Sequence, residues 1–600
     1  MRLHRRRLAE VLTTSTLVRQ KAVVPPQRRY NFIVMSAKFR FTPDRAVLAG
    51  LLLTAAVYCR DLRYDFILDD VPLILMNPTI GSWRNWKTVF RTDIFFASGS
   101  GLPIGVSAIH YRPIYVLWLM LNQQLFGSVL PWWHLTSLFL HLAVTCLVYR
   151  LALQLLRDGW TAALAALLFA FHPIHVESVS YVTASTDLLA ALFVLLAFFG
   201  YSRFREQGAS PAFLIASLFA ASLAMLSKET AVMLPWILVA YEALRETPPG
   251  GTARWKGFIW TIPFFGIVGA YLAIRTVLFG MNAGPGPGGS RFAASLDIPL
   301  VLISYLRMLV WPFRLSFFYP VEWGTQWTLL KGTGVALVVV TALLAYRHYR
   351  TRPAVRLQLL WTAIFVIPAL LGVFTFVKED WLHDRHMYLV SVPFCLIVAV
   401  VLRDLKLPGK RLAVLGAFVV AMLLIETAVQ VPRFRDNLTI YASTLRVAPD
   451  NVLARTNYAL ALWGLGHREQ SLDEFRMTTE RWPRSAQMHD FYAGELAESG
   501  RDEEATLEYA NALRWTAGET PFRASILYKL ANIEVKHSQS EQGAAHMREA
   551  LRIAPQTLNY HAVMAEALRE QGRTQEADDE MLQEAATRQS WGTAAKPPRK

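Results

Sequence analysis

The sequence is poor in charge and in cysteine. Only 18% of its 600 residues are Asp, Glu, Lys or Arg, whereas 54% are hydrophobic. Its three cysteines, Cys59, Cys146 and Cys395, lie in or beside apolar segments and have no metal-ligand spacing. A disulfide framework is therefore excluded, and the three side chains fit small members of an apolar core.

Hydrophobic residues are concentrated in one part of the chain. Apolar runs of spanning length or slightly less fill the sequence between about residues 45 and 430, and a polar segment rich in Ala, Glu and Arg follows Pro432. The net charge is +16, but much of the basic charge lies in short loops between apolar runs. It therefore indicates membrane orientation rather than a nucleic-acid surface.

We predict an all-α chain of four parts. Residues 1–43 form an Arg-rich leader with no apolar core long enough for a signal peptide, which favours a mis-assigned start codon or a disordered tail over a transit peptide. Residues 44–431 form a multi-span membrane domain, 436–590 a helical repeat domain and 591–600 a basic tail.

The distribution of Lys and Arg among the loops predicts the topology of the membrane domain. The Arg-rich loops at 347–356 and 403–411 are expected in the cytoplasm, so the first span leads outward to a long outer loop, 63–112. About eleven spans are predicted, at 44–62, 132–155, 161–176, 181–201, 211–227, 230–245, 257–279, 332–346, 357–377, 387–402 and 411–430. Pro113–Phe126 and Leu300–Trp311 are predicted as interfacial or re-entrant helices. An odd number of spans places the tail on the non-cytoplasmic side, together with the long outer loop.

The tail repeats at about 34 residues, the period of tetratricopeptide units. Four columns recur: Ala459, Ala493, Ala531 and Ala565; Gly466, Gly500, Ser538 and Gly572; Ser471, Ala505, Gly543 and Ala577; Phe475, Tyr509, Met547 and Met581. Small residues let paired helices pack closely, and the large residue is expected to fill the groove between them. Such solenoids are binding surfaces, and a spacer that caps the membrane domain is the alternative.

Ionisable residues gather near the outer ends of the predicted spans. They are Asp69 and Asp70 after the first span, Arg112 in the long loop, His172, His175, Glu177 and Asp187 between two spans, Lys228 and Glu229, and Arg385. Hydrocarbon tolerates such groups poorly, so they form a candidate site, with a solvated turn as the alternative for residues 171–187.

Adjacent carboxylates repel, so the pKa of one member of the Asp69-Asp70 pair is expected to rise, and that group is a candidate proton acceptor. A plain loop pair and a divalent-cation site are the alternatives, and no metal site is assigned. Cationic Arg and His side chains beside an acidic base suit a lipid-phosphate leaving group and an attacking hydroxyl.

The motifs occur in an order that resembles one family. They are Asp69-Asp70 with Asn77, Tyr111-Arg112-Pro113, His172 to Glu177 with Asp187, Ser227-Lys228-Glu229, Trp311-Pro312 and Arg385 to Tyr388. The chain is similar, over roughly residues 44–600, to the transmembrane and tetratricopeptide-repeat O-mannosyltransferases and their bacterial relatives, which are GT-C glycosyltransferases. That family takes a sugar from a polyprenyl-phosphate donor on the lumenal or periplasmic face.

The resemblance assigns roles to residues. It implies that Asp69, Asp70 and Glu177 are catalytic, with the acidic pair deprotonating the acceptor hydroxyl. It implies that Arg112, His172, His175, Asp187, Lys228, Glu229 and Arg385 bind substrate, with Arg385 near the donor phosphate. The family often has a basic residue just before the acid at 187, but this chain reads Ala184-Ser185-Thr186-Asp187.

The leading hypothesis is a membrane glycosyltransferase of inverting type that moves one sugar, mannose by family resemblance, to a hydroxyl of a protein or glycan. A non-catalytic membrane scaffold that recruits partners through its repeats is the alternative, and a ligase or polymerase of lipid-linked saccharides is a third. Predicted partners are the lipid-linked donor, a protein or glycan acceptor presented by the repeats, and the bilayer, without nucleic acid. The predicted location is a bacterial inner membrane with periplasmic repeats, or the endoplasmic reticulum in a eukaryote.

Overall fold

The computed structural model describes residues 42–97, 110–206, 208–245, 257–280, 295–319, 329–374 and 380–594. These residues form helices and no β-strand, so the all-α prediction is confirmed. The predicted leader lies outside the described residues up to position 41. Positions 98–109 of the first outer loop and 595–600 of the basic tail also lie outside them.

Thirteen helices of eleven or more residues precede the repeats in the described ranges. They are α1 (Pro43–Tyr58), α2 (Pro113–Phe126), α3 (Leu130–Leu156), α4 (Gly159–Ala170), α5 (Ser185–Phe204), α6 (Ala212–Ser227), α7 (Leu234–Leu244), α8 (Ile262–Phe279), α9 (Ile298–Val310), α10 (Leu329–Thr351), α11 (Arg356–Leu371), α12 (Tyr388–Arg403) and α13 (Gly409–Gln430). The predicted interfacial stretch Pro113–Phe126 coincides with α2.

The chain is a multi-pass membrane protein, but the predicted count of eleven spans is not confirmed. Among the described residues, six helical segments are long and apolar enough to cross a membrane. A seventh is a pair, Gly159–Ala170 and Pro173–Ser180, bent by 49° at its break. The break falls at His172-Pro173, because proline lacks the backbone N–H and disfavours helical geometry in the residue before it.

Helix length explains three of the other differences from the predicted spans, whereas the fourth, at 332–346, lies in the 23-residue α10, which is not one of the six segments. The structure begins α7 at Leu234 rather than at residue 230, because a 3₁₀ turn, Glu229–Met233, occupies the first positions and Pro235 lies in the first turn. With 11 residues, α7 is about half the length that crosses a bilayer. The 16-residue α1 and α6 also fall below that length.

The core of the membrane part lies around α3, α4, α5 and α12. Its largest fully buried side chains include Trp133, Trp361, Tyr181, Tyr201 and Tyr388. Helices α8 and α13 instead leave large apolar side chains exposed, such as Val277 and Val414. Because a helix with exposed hydrocarbon along its length is stable in lipid rather than in water, these two helices fit the membrane-facing boundary.

Nine further helices form the tail as far as residue 594, where the described residues end, and they are joined as antiparallel pairs after a single leading helix. They are α14 (Asn437–Val447), α15 (Val452–Gly464), α16 (Arg468–Arg481), α17 (Ala486–Glu498), α18 (Asp502–Trp515), α19 (Pro521–Lys536), α20 (Ser540–Ile553), α21 (Tyr560–Glu570) and α22 (Thr574–Ala594). The repeat columns fall in these pairs, with one small residue in each first helix and one in each second helix.

The packing of the columns follows the predicted chemistry, with one exception. Ala459, Ala493, Ala531 and Ala565 are all fully buried. At Gly543 an added Cβ would lie 2.8 Å from Val535, so only glycine fits this close helix approach. Met581, predicted to fill a groove, is 38% exposed, because it lies on α22, the last helix among the described residues.

The turn column needs left-handed backbone. Gly466, Gly500 and Gly572 have φ of +83°, +77° and +77°, and Ser538 takes the same place at +58°. Glycine adopts this conformation freely because it lacks a Cβ, whereas serine is strained there. The substitution in the third unit therefore keeps the turn at a cost in free energy.

A cross-brace recurs in each repeat, and the sequence alone did not reveal it. Near the start of each first helix, an Arg or His side chain makes two contacts. One is with a backbone carbonyl earlier in the chain, and the other is with a Glu carboxylate of the second helix. The four are Arg455 with Glu474 and Pro449, His489 with Glu508 and Pro483, Arg523 with Glu549 and Leu513, and His561 with Glu580 and Pro555. The brace fixes the angle between paired helices.

Candidate functional site

The predicted acidic pair sits on a strained turn after α1. Leu68 has φ of +53°, a conformation that costs a branched side chain about 1–3 kcal/mol. The backbone N–H groups of Asp70 and Val71 donate to the carbonyls of Ile67 and Leu68, which closes the turn. The turn therefore presents two consecutive carboxylates in different directions.

Asp70 points into the protein. It is fully buried, and it accepts hydrogen bonds from the Ile67 N–H at 3.1 Å, from the Thr183 N–H at 2.7 Å and from the Thr183 hydroxyl at 2.5 Å. Burial raises the pKa of Asp70 to about 7, more than these hydrogen bonds lower it. The sequence predicted a raised pKa in this pair, but burial rather than repulsion by Asp69 is the main cause.

Asp69 lies at the half-buried surface of the turn. Its backbone N–H donates to the hydroxyl of Tyr181 at 3.2 Å. The guanidinium of Arg385 lies over the ring of the same tyrosine, with Cζ at 5.9 Å from the ring centroid. Tyr181 therefore separates the acidic turn from the cation that sequence resemblance assigns to the donor phosphate.

Arg385 is held by Glu177. The Glu177 Oε1 lies 3.0 Å from Nη1 of Arg385 and 3.2 Å from Nδ1 of His383, and Oε2 accepts the Arg385 backbone N–H at 3.1 Å. Glu177 is 1% exposed, whereas the Arg385 side chain is 22% exposed. The carboxylate thus orients the guanidinium, and part of the Arg385 side chain stays accessible to a ligand.

Two further cations are fixed by acids from other helices. Lys228 Nζ lies 2.6 Å from Asp187 Oδ1, and both residues are buried. Arg112 makes a two-pronged contact with Glu229, with Nε to Oε2 at 2.8 Å and Nη2 to Oε1 at 2.5 Å. Because Lys228 and Glu229 are neighbours in the chain, the two ion pairs lie side by side.

These pairs also bear on the basic residue missing before Asp187. Ser185 is fully buried, and the cation next to Asp187 comes from Lys228 instead. The Oδ2 atom of Asp187 has no hydrogen-bond partner among the described residues. This acid therefore keeps both a cationic neighbour and one free acceptor atom.

The predicted substrate-binding histidines lie deeper. His172 contacts the Leu309 carbonyl through Nε2 at 3.0 Å and caps the following 3₁₀ turn through Nδ1. His175 contacts the Ser391 hydroxyl at 2.8 Å and packs against Phe169 and Tyr388. They are 2% and 0% exposed, so the contacts described here are those of positioning residues rather than of an open surface.

Arg435, just after the last candidate span, and Asn437, the first residue of α14, contact the acidic turn and the residues before it. The Leu68 N–H donates to the side chain of Asn437 at 3.0 Å, and the Asp65 N–H donates to the Arg435 carbonyl at 2.9 Å. The first outer loop and the start of the helical tail therefore meet at one end of the helical bundle.

Sequence reasoning missed the residues that orient the site. Tyr181 and Thr183 hold the acidic turn, and Asp61, which is buried, accepts a hydrogen bond from Ser180 at 2.8 Å. In the sequence, Asp61 is a lone carboxylate at the end of an apolar run, and this position could have identified it as a candidate. Tyr181 and Thr183 lie between the histidine motif and Asp187, where only ionisable residues were weighed.

No group of three or more His, Cys, Asp or Glu side chains within the described ranges is arranged to hold a metal ion. The divalent-cation alternative for Asp69 and Asp70 therefore gains no ligand set from those residues. The two Asp70 oxygens are already engaged by Ile67 and Thr183.

Comparison with known proteins identifies relatives of this arrangement. The family described as dolichyl-phosphate-mannose-protein mannosyltransferase matches residues 111–267, which include Arg112, Glu177, Asp187, Lys228 and Glu229. Human protein O-mannosyl-transferase TMTC1 is 27% identical over 507 residues, covering 74% of this chain and 55% of the human protein.

Two further matches are a nematode protein and a solved structure. Protein O-mannosyl-transferase F38B6.6 of Caenorhabditis elegans is 25% identical, over 69% of this chain and 59% of its own length. The chain thus spans little more than half the length of these two relatives. The crystal structure of ArnT from Cupriavidus metallidurans bound to undecaprenyl phosphate superposes loosely, with a TM-score of 0.35 and 16% identity over 74% of this chain and 80% of that one.

The family match includes most of the candidate site residues but not Asp69, Asp70 or Arg385, and the two relatives match 74% and 69% of the chain. They involve the same family that the order of the motifs indicates. The chain is therefore a relative of the transmembrane and tetratricopeptide-repeat O-mannosyltransferases, as its motifs predict.

Proposed function

We propose that this chain is a membrane glycosyltransferase that moves a single sugar from a polyprenyl-phosphate donor to a hydroxyl of a protein. Mannose is the sugar that the names of the relatives suggest. The reaction would take place on the non-cytoplasmic face, at a bacterial inner membrane or, in a eukaryote, at the endoplasmic reticulum.

One observation carries the proposal. A half-buried carboxylate, Asp69, and three cations, Arg112, Lys228 and Arg385, come from four segments far apart in sequence and lie at one end of the helical bundle. Each cation is oriented by an acid, namely Glu229, Asp187 and Glu177 respectively. A purely structural role would account for these three ion pairs. It would not account for Asp69, a carboxylate beside them that belongs to none of the three.

The chemistry assigns a different task to each group. Asp69 takes the proton of the acceptor hydroxyl while the oxygen of that hydroxyl bonds to the anomeric carbon of the sugar. The bond between that carbon and the phosphate oxygen breaks, and the electron pair leaves with the polyprenyl phosphate. Arg385 stabilises the negative charge on this leaving group, because its guanidinium is a fork that matches phosphate oxygens.

Asp70 and Glu177 then act as positioning residues. Asp70 fixes the turn that carries Asp69, and Glu177 fixes the guanidinium of Arg385. The free Oδ2 atom of Asp187 is available to a hydroxyl of the sugar. Catalysis by Asp70 itself is disfavoured because both of its oxygens already accept hydrogen bonds.

The test is sugar transfer by the purified full-length protein from a polyprenyl-phosphate mannose donor to a serine- and threonine-rich acceptor. Mass spectrometry is expected to detect the addition of one hexose. Asp69→Asn should lower the rate by about 10²–10⁴-fold, the usual contribution of a general base. Asp93→Asn, in the same outer loop, is the matched control and should keep the rate.

The scaffold alternative makes the opposite prediction. A non-catalytic protein gives no added mass with any of these variants, although its repeats still bind a partner. A ligase of lipid-linked saccharides would add several hexoses in one step. Full transfer by Asp69→Asn would contradict the assignment of Asp69 as the general base. Glu177 would then be the leading candidate for that role.

A further inference from the structure

A second cationic site lies where the last candidate span meets the helical tail. Here the structure contains a cavity of about 350 Å³ between the end of α13 and the outer face of α14. We call it the junction pocket. Its lining includes Val429, Pro432, Arg433, Thr439, Ser443 and Arg446.

The charges of the junction pocket are not balanced within it. Arg435, the neighbouring arginine, pairs with Asp436 at 2.7 Å. Arg433 donates only to a carbonyl, that of Leu315 at 2.6 Å, and the described residues place no carboxylate within 4.0 Å of either Arg433 or Arg446. Glu426 and Asp384 are acids near enough to interact with Arg433 at longer range, whereas the charge of Arg446 repels that of Arg433.

Polar and apolar surfaces meet at the same pocket. The hydroxyls of Thr439 and Ser443 line it beside the two guanidinium groups. On the other side, Val429 and Ile425 lie on α13 with 55% and 64% of their surface exposed, and they continue the apolar face of a candidate span. A ligand that fills both surfaces has an anionic head and a hydrocarbon chain.

We propose that the junction pocket binds the phosphate headgroup of an anionic bilayer lipid, with the acyl chain lying along α13. Two guanidinium groups and the Thr439 hydroxyl, which accepts from Arg435 and can still donate, match the oxygens of a phosphate ester. Arginine is the residue best suited to such a contact. The adjacent exposed valine and isoleucine favour a lipid over a free anion, which would leave that surface in water. The bound headgroup would fix α14, and with it the start of the repeats, against the membrane.

The test uses the full-length protein in uncharged maltoside micelles. Dihexanoyl phosphatidylglycerol is titrated in, and amide hydrogen exchange is followed across Asn437–Val447. Exchange in this helix should slow as the lipid binds. In Arg433→Gln/Arg446→Gln the half-saturating lipid concentration should rise at least about tenfold, the effect of losing roughly one charge-assisted hydrogen bond.

Matched variants keep the test decisive. Arg484→Gln/Arg514→Gln removes the same charge beside Trp515 in the repeats, and it should bind like the unaltered protein. Arg446→Gln alone changes an exposed side chain, so it should fold normally and still weaken binding. Equal lipid binding by the pocket variants would overturn the proposal. Equal protection by inorganic phosphate at the same concentration would overturn the lipid assignment.

Discussion

At the scale of single residues, the acidic pair shows how two identical side chains differ. Asp70 is fully buried and accepts three hydrogen bonds, whereas Asp69 is half-buried on the same turn. Burial and three hydrogen bonds give Asp70 a structural role that the half-buried Asp69 lacks. Function and stability are therefore separable at adjacent positions.

We expect Asp70→Asn to destabilise the protein and Asp69→Asn to leave its stability unchanged. The amide at position 70 replaces an acceptor oxygen by a donor that faces a backbone N–H, which costs about 1–3 kcal/mol. Thermal unfolding of both variants in detergent measures the difference. Identical melting temperatures would show that the three hydrogen bonds to Asp70 contribute nothing net.

Arg385 should be sensitive to geometry and not to charge alone. Arg385→Lys keeps the positive charge but loses the fork and the broad face over Tyr181. We expect affinity for a polyprenyl-phosphate donor analogue to fall about tenfold, as for the loss of one charge-assisted hydrogen bond.

The partners of Arg385 supply its controls. Glu177→Gln should weaken donor binding as Arg385→Lys does, since it releases the same guanidinium. Arg203→Lys, on the exposed end of α5, should bind the donor normally. Unchanged affinity in Arg385→Lys would identify this residue as an interfacial anchor at the start of α12.

At the scale of elements, the repeat cross-brace predicts a pH dependence. His489 lies between Glu508 and the Pro483 carbonyl; burial opposes its charge, but these contacts prevail and raise its pKa. A raised pKa stabilises the fold fully below the unfolded value of about 6.5, and this stabilisation is lost as pH rises through the folded pKa.

The protection factors of Ala486–Glu498 should therefore be higher at pH 6 than at pH 8.5. Hydrogen exchange of the full-length protein, corrected for intrinsic rates, measures this. His489→Arg, which restores the residue type of Arg455 and Arg523, should remove the dependence. A dependence that persists in this variant would place its origin elsewhere.

Elements differed in how well the sequence predicted them. The repeat columns were readable because small residues and left-handed turns recur at a fixed period, as at Ala531 and Gly500. The break at His172-Pro173 and the short α7 were not, because hydropathy averages over the prolines that interrupt helices. In the candidate site, the sequence singled out ionisable residues that the fold brings near one another, but it missed Asp61 and Tyr181. Nothing about an aromatic ring in an apolar run marks a hydrogen-bonding role.

At the scale of the whole molecule, one arrangement constrains the topology. The acidic turn, Glu177, Arg385 and Asn437 are connected by direct contacts at one end of the bundle. Residues in mutual contact must share one side of a membrane. The Arg-rich loop at 347–356 predicts that this shared side is the non-cytoplasmic one.

Cysteines introduced at Arg84 and Gln470, both exposed, should be labelled by an impermeant maleimide from the same, non-cytoplasmic side. Cys59 and Cys146 are exposed and must first be replaced, whereas Cys395 is buried. Arg350→Cys, in the Arg-rich loop, is the control and should be labelled only after permeabilisation. Labelling of positions 84 and 470 from opposite sides would exclude the shared site.

The contact between Leu68 and Asn437 also sets an order of events during biosynthesis. The two residues are 369 positions apart, so a ribosome that adds about 5–20 residues per second needs roughly twenty seconds to over a minute between them. Throughout that interval the turn bearing Asp69 lacks its last hydrogen bond. A nascent chain therefore completes this turn only after the last candidate span has been made, and a prematurely terminated chain never completes it.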